Sequence, residues 1–253
     1  MPTLAANKPR SWELGTHNEL PIIASDIVFQ GAAVGDNASG YMRPLVSGDQ
    51  FRGFALENCD NSSGSAGDLD VKLLESGKIQ LSIGSLAITD VGRPVYASDD
   101  DTFVLTGIGT FIGHVTRYVS SGVGIVAFDA TKPEEEVFLT VPVTLSNIAD
   151  GDVVTTFTPG FHGRIKDWDF VTDVPASTAS KASTLNMEVG TTDLTGGTIA
   201  LTTVACNARG KIVAGAAITA GAAFTNTDTI SVEAASTTAF VEGTGSLVIR
   251  LGK

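Results

Sequence analysis

Few residues in this chain have the types and spacing to do chemistry. The three histidines, His17, His114 and His162, stand far apart, and none has a Cys or a second His at metal-ligand spacing. Structural or surface roles are therefore expected for all three. The run Ser98 to Thr102, SDDDT, concentrates three carboxylates. Asp99, Asp100 and Asp101 are consecutive, however, and in a strand they would point to opposite faces. A calcium loop would need alternating oxygen ligands and a later bidentate acid. A solvated hairpin turn is the simpler reading of that run.

Phosphate and nucleophile motifs are equally sparse. Gly77-Lys78 and Gly210-Lys211 are each followed by Ile and lack the upstream glycine of a phosphate loop. GIGTFIG, Gly107 to Gly113, has the wrong glycine spacing for a dinucleotide fold and reads as a turn between strands. There is no G-x-S-x-G elbow. The acceptor-like triplets at Asn37 and Asn61 carry no weight without a secretion signal, and MPTLAANKPR has no apolar stretch of that kind. Cys59 and Cys206 are far apart, and two free thiols are the default expectation. No cofactor or metal is expected.

The elements that would hold these residues are strands. Thr, Val and Ile alternate with polar residues between Gly and Asx turns, while no long amphipathic helical run occurs. The fold class is all-β. The 253 residues allow two domains of ordinary size. Residues 1–19 read as an extended arm with no sustained period. Residues 20–130 read as a barrel-like β domain of about eight short strands. TKPEEE, Thr131 to Glu136, reads as a linker, since a proline and three glutamates are costly to bury. Residues 137–253 read as an antiparallel β-sandwich of jelly-roll or immunoglobulin type, with VPASTASKAST as an exposed loop. No fixed-period repeat of the solenoid kind is visible.

Charge narrows the partners. Residues 1–133 carry 9 Lys and Arg against 15 Asp and Glu; residues 134–253 carry 7 against 13. Each half is therefore near −6. Phosphate backbones and anionic membrane surfaces need clustered cations, so nucleic acid and membrane are not expected partners. No stretch approaches the roughly 18 apolar residues of a membrane span. Of the two tryptophans, Trp168 sits in an alternating strand, whereas Trp12 lies in the arm. Two readings of Trp12 stay open. It packs back onto its own domain, or it anchors in a partner's groove.

Taken in order, the opening arm with ELP (Glu19 to Pro21) and ASD (Ala24 to Asp26) and GDQFRGFA (Gly48 to Ala55) resemble the capsid cement, or head decoration, proteins of tailed bacteriophages. DVGRPVYASDDDTF (Asp90 to Phe103), IGHV (Ile112 to Val115) and VAFDA (Val126 to Ala130) extend the likeness over residues 1–130. Residues 137–253 look like a β-sandwich appended to phage surface proteins. The resemblance implies a homotrimer on three-fold and quasi-three-fold positions of the expanded head. It implies a virion-surface location after synthesis in the host cytoplasm, the major capsid protein as partner, and no catalysis. The arm would then dock on the shell by adding a strand, with Trp12, Leu14, Leu20, Pro21 and Ile22 as contact residues. The second domain would face outward, with a host-surface glycan or protein as its possible ligand. Two other classes remain in view: a receptor- or glycan-binding adhesin-like module, and a glycan hydrolase built on a β scaffold, which would need two suitably spaced carboxylates in a cleft.

Overall fold

The computed structural model describes residues 15–253. As expected, it is all-β: antiparallel sheets with two short 3-10 turns and no α-helix among the described residues. Residues 17–129 form two five-stranded sheets. The first contains β1 (His17–Pro21), β2 (Ala33–Asp36), β3 (Met42–Pro44), β4 (Gln50–Ala55) and β5 (Asp70–Leu74), in the order β1-β5-β4-β2-β3. The second contains β6 (Ser76–Ser82), β7 (Pro94–Ala97), β8 (Phe103–Val104), β9 (Thr110–Ser120) and β10 (Val123–Asp129), in the order β6-β10-β9-β7-β8. The two orders are the same.

The equivalence extends to single residues. A parallel bridge Ile22↔Met42 joins the ends of the first sheet, and Ile83↔Phe103 joins the ends of the second. Both sheets are thereby drawn closed, which leaves little free edge. Val34 pairs with Gly53 and Gly35 with Phe51, across a bulge at Arg52. In the second unit Val95 pairs with Gly113 and Tyr96 with Phe111, across a bulge at Ile112. Gly53 and Gly113 serve one purpose. A Cβ would lie 2.4 Å from Leu74 O at the first and 2.0 Å from Ala127 O at the second. Only glycine lets the neighbouring strand approach there. The single domain expected over 20–130 is thus one unit present twice.

The first unit is filled by Ile22, Val34, Met42, Ala55 and Leu73, and the second by their counterparts Ile83, Val95, Phe103, Val115 and Val126. Between the units, Phe51 and Phe54 of β4 meet Phe128 of β10 edge-on, with centroids 6.1 and 4.9 Å away. Such pairs add about 1 kcal/mol each beyond their buried area. Gly48 N donates to Thr110 Oγ1 and Thr110 Oγ1 donates to Asp49 O, so backbone as well as side chains joins the two units.

Residues 136–252 form two further sheets around one core. The first holds β11 (Glu136–Thr144), β13 (Gly163–Val174) and β17 (Thr244–Gly252), with β17 central. The second holds β12 (Gly151–Phe157), β14 (Ala182–Val189), β15 (Ile199–Thr202) and β16 (Ile230–Thr238). Strict alternation in β17 turns Leu247, Ile249 and Leu251 inward against Trp168, Phe170 and Phe224. Each fully buried side chain of that size contributes roughly 1.5–3 kcal/mol. Residues 175–181 are a loop, shorter at both ends than the VPASTASKAST stretch expected, since Val174 closes β13 and Ala182 to Thr184 open β14. Glu242 holds it, accepting from the backbone N–H groups of Ser177 and Thr178 and from both their hydroxyls.

Candidate functional site

The residues expected to contact a partner divide into two groups. Trp12 and Leu14 lie outside the described residues. Leu20 and Pro21 lie in β1, paired with Val71 and Asp70. Ile22 is wholly buried in the core of the first unit, and Leu20 packs on the same core. Ile22 is therefore spent on the fold and not free to contact a partner, whereas Leu20 is half-buried. Strand pairing already includes His17, so the segment ahead of the body ends near residue 16 rather than 19. Gly15, Thr16 and His17 are exposed, so the chain enters β1 from the surface.

The linker also differs from expectation. Glu136 opens β11, and Glu134 is buried rather than solvated. Its carboxylate is fully provided for. Oε1 accepts from Tyr96 OH at 3.0 Å and from Arg164 Nε at 3.0 Å, and Oε2 accepts from Arg164 Nη2 at 2.7 Å. Lys166 Nζ stands 3.3 Å away. A buried carboxylate is tolerated when a bidentate arginine and a further donor saturate it. The backbone makes room as well, because a Cβ on Gly252 would strike this carboxylate.

Arg164 is the joint between the two halves of the molecule. It belongs to β13, stacks 4.5 Å over the Tyr96 ring of β7, and donates from Nη1 to the carbonyls of Gly107 and Gly109 at 3.0 and 3.1 Å. Gly107 packs so closely on Ala223 and Arg164 that a Cβ there would sit 3.0 Å from both. Burial and the neighbouring carboxylate hold the Tyr96 phenol well above its ordinary pKa, so it remains a donor. Nearby, His162 reaches toward Gly92 of the second unit with its Nδ1 buried and unpartnered. Burial and the Arg93 charge keep that imidazole below its usual pKa.

The other candidates fall in separate places. The three histidines sit on three different units. His114 lies edge-on to Phe111 at 5.3 Å, its pKa lowered by burial. The SDDDT run is the turn between β7 and β8, and Asp99 Oδ1 accepts from the N–H groups of Asp101 and Thr102. Cys59 and Cys206 are free and buried in different cores. Asn61 is buried, its amide donating to Ile23 O and Ser65 O, so the side chain is committed to the fold.

One cluster had no signal in the sequence. The carboxylates of Glu188, Asp193 and Glu233 gather within 4.8 Å of one another, and repulsion from Glu188 raises the Glu233 pKa. The three come from separate strand segments and meet only through sheet pairing. Tyr96, Glu134 and Arg164 were also missed. The one available hint was a glutamate immediately after Pro133, in a stretch that otherwise reads as solvated. No helix among the described residues is long and apolar enough to cross a membrane. No protein-family model, curated protein or solved structure matches the chain.

Proposed function

We propose that this chain is a decoration protein of a tailed-phage head. Three copies would sit over three-fold and quasi-three-fold positions of the expanded shell, held to the major capsid protein by the N-terminal segment. The observation that carries this reading is mechanical. The segment runs directly into β1, which is locked to β5 through five consecutive pairs, His17↔Leu74 to Pro21↔Asp70. A pull along the segment loads that ladder along its length, where all five pairs share it. The resemblance of residues 1–130 to the cement family points the same way. Added interface on the assembled state stabilises a shell by mass action, and three-fold attachment multiplies the gain through effective concentration. On this reading residues 137–253 face outward, where a host-surface glycan or protein could meet them.

The test is co-sedimentation with expanded heads that lack the protein, comparing the full chain with one missing residues 1–14. The deletion stops at 14 because β1 must stay intact. Saturable binding at hundreds of copies per head, lost in the shorter chain, is the expected result. Unchanged affinity without the segment would reject the docking role. A handful of copies per particle would favour the adhesin reading instead.

A further inference from the structure

The C-terminal unit has a long, regular strand edge with no partner among the described residues. β11 runs through nine consecutive pairs with β17, Glu136↔Gly252 to Thr144↔Thr244, without a register shift. The other long edge of the unit, β12, is broken by two shifts. Such irregularity keeps an edge from pairing with another chain, and β11 lacks it. We infer that two copies of this protein pair here, antiparallel and edge to edge, about a two-fold axis at Phe138. The inference does not rest on shell binding.

The phase of the ladder sets which backbone groups are free. Lys253 N donates to Glu135 O just before β11, and Leu145 N donates to Gly243 O just after it. Both pairs continue the register of β11 with β17, and hydrogen-bonded pairs alternate with non-bonded ones along antiparallel strands. The odd-numbered residues of β11 therefore bond to β17. The N–H and C=O groups of Glu136, Phe138 and Thr140 point the other way, to the open edge. Pro142 is next in that series and has no N–H to offer, so the usable edge ends there.

Three features select a second copy as the partner. The first is symmetry. The three free residues are centred on Phe138, so in an antiparallel pair Glu136 faces Thr140 of the partner subunit and Phe138 faces its own counterpart. Every free N–H and C=O of both strands is then satisfied. The second is the side chains. Phe138 is 62% exposed, and at the axis the two rings form an aromatic cross-strand pair on the outer face. On the inner face Val137 meets Leu139 of the partner subunit, and both are only half-buried in the single chain. The third is charge. Glu136 is the one charged residue of β11; Lys166 pairs with it in place, and it faces a threonine across the axis. A chain of net charge −12 thus brings no like charges directly opposite each other at this seam.

The test is sedimentation velocity of the full-length chain over a concentration series. A three-residue ladder with one aromatic pair belongs among weak, transient contacts, so pairing should appear as concentration rises. The mass measured at low concentration should at least double by about 1 mM. Thr140→Pro removes an N–H that the ladder to β17 does not use, so it should fold as the wild type does and lose the association. If that variant does not fold, Phe138→Cys reads the same contact. Facing Cα atoms of a hydrogen-bonded pair lie about 5.5 Å apart, within reach of a disulfide. Under air oxidation this variant should cross-link at least about tenfold faster than Ile212→Cys, a position 63% exposed on the opposite edge of the same sheet. A wild-type mass that stays constant across the series overturns the inference. So does a folded Thr140→Pro variant that associates as the wild type does, and so do equal cross-linking rates.

Discussion

Replacing Arg164 with Leu removes a side chain that ties the C-terminal unit to both the linker and the second unit. Its cost follows from what is left behind. Glu134, with a side chain only 5% exposed, loses both guanidinium bonds and keeps the Tyr96 hydroxyl and a more distant Lys166. The carbonyls of Gly107 and Gly109 lose their shared donor. Breaking a buried pair from one side costs about 3–5 kcal/mol. That is a large part of the 5–15 kcal/mol by which domains are stable. The assay is equilibrium urea unfolding in a Trp12→Phe background, read by Trp168 emission for the C-terminal unit and by far-UV circular dichroism for all strands. The wild type should unfold with the two probes coincident. Arg164→Leu should separate them, the two halves unfolding independently. The double variant Glu134→Leu/Arg164→Leu should regain at least about 2 kcal/mol, because no orphaned carboxylate remains. A single variant within about 1 kcal/mol of wild type, or a double variant as unstable as the sum of its parts, would refute the view of this pair as a buried rivet.

Two further outcomes test the fold. Glu242, held by four donors from the 177–178 loop, has its pKa lowered from 4.5 to about 2, chiefly by the backbone N–H groups of Thr178 and Ser177. A depressed folded pKa gives stability that is present above 4.5 and lost as pH falls toward 2. Glu242→Gln should therefore lower the midpoint of thermal unfolding at neutral pH, with the gap from wild type closing across that window. A gap that stays constant with pH would show that the charge is not what the loop needs. Gly53→Ala and Gly113→Ala should each destabilise by about 2 kcal/mol or more, since both force a methyl onto a neighbouring backbone carbonyl. If only one of them does so under chemical denaturation, the two positions are not equivalent.

How much of this was legible follows from the range of the interactions. Alternation and turn chemistry act within a few residues, so the all-β class, the SDDDT hairpin and the existence, though not the ends, of the 175–181 loop were readable. The burial of Glu134 was not. Solvating a lone glutamate is the cheaper local choice, and only a partner thirty positions away, Arg164, reverses it. The extent of the N-terminal segment was misjudged for a related reason. HNELP has no apolar alternation of its own, and it becomes a strand because β5 supplies the backbone partners. For Cys59 and Cys206 the general expectation of free thiols held, and the structure adds the reason: they are buried in separate cores.

The duplication was hidden for a different reason. The equivalences Ile22/Ile83, Val34/Val95 and Met42/Phe103 keep a separation of 61 residues, whereas Gly53/Gly113 are 60 apart and Leu73/Val126 only 53. No fixed period survives those changes. Most of the drift comes from the last connection. The first unit runs from β4 to β5 through a loop containing Cys59–Asp60, which pairs with Ile27–Val28. The second makes the same connection as a tight hairpin between long strands, β9 and β10. What the two copies share is therefore a set of contacts: one bulge, one glycine at a crowded crossing and one closing bridge. Their surfaces have diverged. The position that is Gly35 in the first copy, filled by the Asp49 side chain, is Tyr96 in the second. There the ring receives Arg164 and joins the C-terminal unit. A repeat constrained by its interior leaves its exterior free to differ. That freedom allowed one copy to continue from the N-terminal segment and the other to carry the second half of the chain.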